Sequence, residues 1–176
     1  MKNKKLYTTR PNVISFLYFL TIYISIIILG RFNKKKKILD FGSGLGYLKK
    51  INLKLKNPSQ IVNYDKINYL SDVKKWEKIK FDTVVFCQSA YMLSKKELNT
   101  VLKKIKKNNL NAEIIVAVST QSIINKIVSH ILGHGDAYTG LKLKPKDEEL
   151  VFLKSCKLIK KFNFLFLYKV YLFNFR

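Results

Sequence analysis

The chain has 176 residues, which fits one domain and leaves little room for a second. Hydrophobic residues make up 48% of it, so a sizeable core can be buried, and the two cysteines, Cys87 and Cys156, are too few and too far apart for a disulfide framework. The chain therefore reads as a reduced protein of the cytoplasm. Its 34 basic residues against 11 acidic ones give a formal net charge of +23. Such a surface attracts polyanions, whether nucleic acid or anionic lipid head groups. The lysines are scattered from Lys2 to Lys169 rather than gathered in one block, as a lysine-, asparagine- and isoleucine-rich composition by itself would produce.

From Pro11 to Gly30 the chain carries no charged residue. Residues 1–35 form an N-terminal basic and apolar unit, and three readings fit it. A membrane-spanning helix needs about 20 apolar residues, and the run 13–29 is long enough to cross a bilayer. Basic residues lie on both sides, however (Lys2 to Arg10 before, Arg31 to Lys37 after), where an anchor favours asymmetry. A cleaved leader would need a small-residue cleavage site, and Leu29-Gly30-Arg31-Phe32 offers none. The third reading is a helix that packs on the fold or lies in the plane of an anionic membrane surface.

Beyond residue 36 short apolar runs alternate with amphipathic ones. Lys37–Phe41 reads as a buried strand that ends in glycines, and Tyr47–Leu55 as a helix with Leu48, Ile51 and Leu55 on one face. Asn57-Pro58-Ser59 breaks it. Gln60–Asp65 and Phe81–Cys87 read as strands. Ser94 and Glu97 form a capping box that opens a helix to about Lys107, with Leu98, Val101, Leu102 and Ile105 on its apolar face. Glu113–Ser119 is another buried strand, Gln121–Leu132 a candidate helix, Gly133–Asp136 a loop and Lys146–Ser155 a helix. The aromatic tail Leu158–Phe175 reads as two antiparallel strands. The fold expected is α/β, a Rossmann-like and mostly parallel sheet with an antiparallel C-terminal strand pair and helices on both faces.

The segment Asp40-Phe41-Gly42-Ser43-Gly44-Leu45-Gly46 leaves a strand and enters a helix. Glycines allow a tight turn and close approach of a ligand, and the helix N-terminus aims N–H groups at it. Dinucleotide enzymes favour GxGxxG, whereas this chain has GxGxG. Ile38-Leu39-Asp40-Phe41-Gly42-Ser43-Gly44-Leu45-Gly46 resembles the first motif of the class I S-adenosylmethionine-dependent methyltransferases, and Asp65, at the end of the second strand, matches the acidic residue of their second. Phe81-Asp82-Thr83-Val84-Val85-Phe86-Cys87 is similar to their fourth strand; the histidine that often follows is replaced by Tyr91 and Met92.

The resemblance runs over residues 36–176 and is nearest the branch that acts on small molecules, lipids and saccharides. It implies S-adenosyl-L-methionine as cofactor, held by Asp40, Gly42, Ser43, Gly44 and Gly46, with Asp65 on the ribose hydroxyls, Asp72 on the adenine and Gln88 lining the pocket. It implies an abbreviated helix and third strand between Asp65 and Asp82, with Asp82 structural. The acceptor would be a small molecule, a lipid or a saccharide; one rival is a nucleic-acid (RNA) methyltransferase, disfavoured because no Asn-Pro-Pro-Tyr-type motif follows the fourth strand, and the other a catalytically silent, methyltransferase-like, membrane-associated protein. The chain's two histidines, His130 and His134, are spaced i, i+4 with Asp136 nearby. No further ligand group accompanies them, so no metal is expected. His134 or Asp136 is the candidate general base or acceptor contact, His134 because flanking glycines expose a group that titrates near neutrality. Cys87 lacks a basic partner and is not expected to act as a nucleophile.

Overall fold

The computed structural model describes residues 13–120, 122, 123, 127 and 141–176. Helix α1, Val13–Leu29, opens it. No helix among the described residues is long and apolar enough to cross a membrane. The helix is instead laid on the sheet. Ile22, Ile26, Ile27 and Leu29 are buried in a cluster with Ile38, Ile115, Ala117, Val170 and Leu172. One face of the uncharged run is thus a packing face, while Val13, Leu17 and Ile28 stay exposed.

The helix ends in a Schellman motif. Arg31 takes the left-handed conformation (φ 54°), its N–H donates to Ile28 O and the Phe32 N–H donates to Ile27 O. Phe32 is fully buried and closes that end. The Ser59 hydroxyl meets Phe32 O at 2.9 Å and Lys34 O at 2.7 Å, tying the linker to the loop before the second strand.

The described residues form a six-stranded sheet in the order β2-β1-β3-β4-β6-β5. The strands are β1 Lys37–Phe41, β2 Gln60–Tyr64, β3 Thr83–Cys87, β4 Glu113–Ser119, β5 Cys156–Phe164 and β6 Tyr168–Phe175. β2, β1, β3 and β4 run parallel, and β6 and β5 add the antiparallel pair. Side chains alternate across the sheet. Val84, Phe86, Ile114, Val116 and Val118 face one core. Val85, Ile115 and Ala117 face the other, which α1 and α2 (Tyr47–Lys54) cover. The first core is covered by α3, Lys95–Asn108, through Leu98, Leu102 and Ile105, and by α4, Pro145–Ser155, through Val151 and Phe152. Helices thus lie on both faces, as expected.

The capping box is formed: the Glu97 N–H donates to Ser94 Oγ at 3.2 Å and the Ser94 N–H to Glu97 Oε2 at 2.7 Å. Asp82 is structural, accepting the Lys37 N–H at 2.8 Å and so fixing the start of β1. One expectation is corrected. Residues 65–82 hold no strand; they form two single turns of 3₁₀ helix, Asn68–Leu70 and Trp76–Lys78. β2 is therefore the sheet's edge. Asp72 and Ser71 occupy the place of a neighbouring strand, for the Asn63 N–H donates to Asp72 Oδ2 and the Asp72 N–H returns to Asn63 O. Trp76 packs in the core against Phe41 and Tyr64, filling the space a longer crossover would fill.

Candidate cofactor and acceptor site

The strand order reverses between β1 and β3, and in open α/β sheets a ligand crevice lies outside the carboxyl ends of the strands at such a point. The glycine loop leaves β1 there and Gln88 leaves β3. Gly42, Gly44 and Gly46 all have positive φ (76°, 51° and 67°). Two of them are also pressed against the fold. A Cβ on Gly42 would meet Ser89 Cβ at 2.5 Å, and one on Gly46 would meet Asn63 Nδ2 at 2.7 Å. Gly44 differs, since a Cβ there would meet nothing within 4 Å. The loop is clamped at its two ends and open at its centre.

The Gly42 and Ser43 N–H groups donate to Tyr64 O, which sets the loop beside the end of β2. Ser43 Oγ lies 3.5 Å from Leu70 O. Asp65 turns its carboxylate toward the loop: Oδ2 accepts the Gly44 N–H at 3.1 Å and Oδ1 accepts the Ile67 N–H at 2.9 Å. The acid at the end of the second strand therefore faces the open centre of the glycine turn.

Asp40 shares the sheet face of Ile38, beneath α1. It is buried, and its Oδ1 has no hydrogen-bond partner among the described residues. Desolvation, and after it the charge of Asp65, push its carboxyl up to about 7. Burial also raises the Cys87 thiol and the Tyr23 hydroxyl well above their ordinary ranges, with Asp40 adding to both. Cys87 is thus held as a neutral thiol.

Gln88 takes a left-handed conformation (φ 50°), its N–H donates to Ala117 O, and its Nε2 donates to Tyr18 OH at 3.3 Å. α1 therefore starts over the carboxyl edge of the sheet. Tyr18 also packs edge-on against Tyr168, whose hydroxyl lies 3.1 Å from Ser25 Oγ.

Asp72, expected at the adenine, is bonded to both the sheet edge and α2. Its Oδ2 takes the Asn63 N–H at 2.8 Å and Lys49 Nζ at 2.9 Å, and these bonds outweigh desolvation to hold it below the usual carboxylate range. It ties the sheet edge to α2. Asp40, the glycines, Ser43, Asp65 and Gln88 converge on one sheet edge. His130, His134 and Asp136 lie outside the described residues.

Tyr18 and Tyr23, which α1 carries over this edge, were not among the expected site residues; their signal was hydroxyls inside an apolar run, enough only for a partly wet helix face. The sequence reading also passed over Asn63 and Ser89, the side chains against which the glycines fit, and Glu148 in the first turn of α4. Glu148 is fully buried, neither carboxyl oxygen meets a partner among the described residues, and desolvation pushes it up to about 8.

The sequence matches no family model and none of the curated proteins. Solved structures of similar fold are numerous. The PH0226 protein from Pyrococcus horikoshii OT3 superposes with a TM-score of 0.57 at 12% identity, over 98% of this chain and 99% of that one. The pyocyanin biosynthetic protein PhzM gives 0.63 at 11%, over 88% of this chain and 54% of its own. CalO1, a methyltransferase in calicheamicin biosynthesis, gives 0.60 at 13%, over 89% and 54%. The chain has the class I methyltransferase fold. It spans about half the length of PhzM and CalO1 and nearly all of the PH0226 protein. Within that methyltransferase fold, the glycine loop and Asp65 stand at the switch point of the sheet.

Proposed function

We propose that this chain is an S-adenosylmethionine-dependent methyltransferase acting on a small-molecule acceptor, with lipid-linked and saccharide compounds in the same class. One observation carries the reading: a glycine turn closed at Gly42 and Gly46 and open at Gly44, with the Asp65 carboxylate aimed at the opening. The residues present suit an adenosyl amino acid. The open side of Gly44 gives space for backbone contact, Asp65 offers acceptor oxygens to ribose hydroxyls, and the unpartnered Oδ1 of Asp40 is a buried acceptor. CalO1 is a methyltransferase whose structure holds S-adenosylhomocysteine, which supports the same reading here.

When bound, S-adenosylmethionine supplies an electrophilic methyl group on a sulfonium. The chain's residues bind and orient. Gly42, Ser43, Gly44 and Gly46 hold the loop, and a cation placed beside Asp40 favours its ionised form. Gln88 and Tyr18 line the edge where α1 covers the sheet, limiting access of water. His134 and Asp136 are the candidate groups to accept the acceptor's proton. Asp72 is proposed for the adenine only if Lys49 releases it.

Calorimetric titration with S-adenosylhomocysteine tests the reading. The wild type should bind and Asp65→Ala should bind at least about tenfold more weakly, the loss of hydrogen bonds to two hydroxyls. Absence of binding to the folded wild type would remove the enzymatic assignment.

A further inference from the structure

β5 and β6 are joined at the sheet's carboxyl edge by a turn that is at odds with its own residues. The Leu167 N–H donates to Phe164 O at 2.8 Å, closing a turn with Leu165 and Phe166 at its centre. Both have positive φ, 42° and 58°. That is the backbone of a type I′ turn, which Asn-Gly suits and bulky residues strain. Yet Leu165 and Phe166 are 68% and 72% exposed, so their side chains do not recover the strain by packing. The tip is held in place all the same, because Ser122 Oγ donates to Phe166 O at 2.7 Å and the Thr120 N–H donates to Leu167 O at 3.0 Å. Ile123, just beyond, is 76% exposed.

The strand behind this tip is basic. From Leu150 to Arg176 the chain has five lysines, one arginine and no acidic residue. Lys157, Lys160 and Lys161 are exposed on β5. Lysines on an edge strand also discourage pairing with other strands. That accounts for the lysines and leaves the strained apolar tip unexplained. Lys161 and Lys160 stand four and five residues behind Leu165, roughly 13–17 Å along the strand. With the tip in the acyl boundary, their ammonium groups come within a Debye length of the lipid phosphates.

We infer that the β5–β6 tip docks this protein on an anionic phospholipid bilayer, with Leu165 and Phe166 entering the interface and Lys160 and Lys161 facing the head groups. Charge complementarity selects the anionic bilayer over a second copy of a chain that carries +23. The site differs from the N-terminal run, whose buried face belongs to the sheet. Because Ser119 of β4 pairs with Tyr168 of β6, the tip projects from the same edge as the glycine loop, and docking turns that edge toward the bilayer. The inference stands whether or not the loop binds a cofactor.

The test is co-sedimentation of the full chain with phosphatidylcholine vesicles and with mixed phosphatidylcholine–phosphatidylglycerol vesicles. The wild type should sediment with the mixed vesicles and at least about tenfold less with the neutral ones. The double variant Leu165→Asn/Phe166→Gly suits the turn's backbone, so it should keep or raise Tm while partitioning at least about tenfold less into mixed vesicles. Lys160→Gln/Lys161→Gln should weaken binding to mixed vesicles alone. The inference is overturned if the wild type stays in the supernatant, or if the folded turn variant binds undiminished. It is overturned as well if gel filtration finds a wild-type dimer that the turn variant dissolves, which would assign the tip to a second copy.

Discussion

Glu148 gives the sharpest handle on stability. Its carboxyl is fully buried without a hydrogen-bond partner among the described residues, and burial moves it from 4.5 to about 8. The folded protein therefore keeps a proton that the unfolded chain releases. For a carboxyl raised in the folded state, stability is highest below the unfolded value and falls as pH climbs toward the folded one. Each tenfold change in proton affinity is worth about 1.4 kcal/mol, so the proton that folded Glu148 keeps and the unfolded chain releases withdraws about 5 kcal/mol between pH 4.5 and pH 8. Asp40, raised from 3.8 to about 7, acts in the same direction over a lower window. Urea unfolding of the wild type and Glu148→Gln at pH 5.5, 7 and 8.5 measures this. The wild type should lose stability steadily across the series, and the variant should keep only the part of the slope below about pH 7 that Asp40 supplies. Equal slopes in the two proteins from pH 7 upward would refute the reasoning.

Other substitutions probe separate parts of the fold. Ile22→Ala removes a fully buried side chain from the α1–sheet interface and should cost about 2–5 kcal/mol in urea unfolding without detergent; an unchanged midpoint would mean the helix does not pack there. Gly46→Ala sets a Cβ 2.7 Å from Asn63 Nδ2 at φ 67° and should cost about 1–2 kcal/mol or more, part of which Asn63→Ala in the same chain should restore by opening the contact. Ser94→Ala removes the cap of α3 and should lower stability by about 1 kcal/mol, read from the same unfolding curves.

Much of this fold was legible because its signals are local. Ser94 and Glu97 announce a helix start, and the unbroken run Ile114–Val118 announces a strand covered on both faces. The glycine turn was legible because its three positive-φ positions tolerate little else. What was hidden is tertiary. An uncharged run before Gly30 reads alike whether it meets lipid or a sheet, and only the sheet's apolar face decides between them. Nor does the sequence announce that β2 is an edge, because it takes the Asn63–Asp72 pairing to fill the missing strand's place. Glu148 sits in the first turn of a helix beside Asp147, where acids usually meet solvent and the helix dipole. That this one points inward depends on how α4 lies against the sheet.

The turn from Gly42 to Gly46 and the carboxylate of Asp65 are proposed to seat an adenosyl amino acid. Amide NMR of the 15N-labelled chain during titration with S-adenosylhomocysteine tests it most directly, because the Gly44 N–H is bonded to Asp65 Oδ2 and must feel any ligand that engages either group. Saturable shifts are expected at Gly42, Gly44 and Asp65, and in Asp65→Ala those of Gly42 and Gly44 should need at least about tenfold more ligand. A titration that leaves those amides unmoved in the folded protein would contradict it.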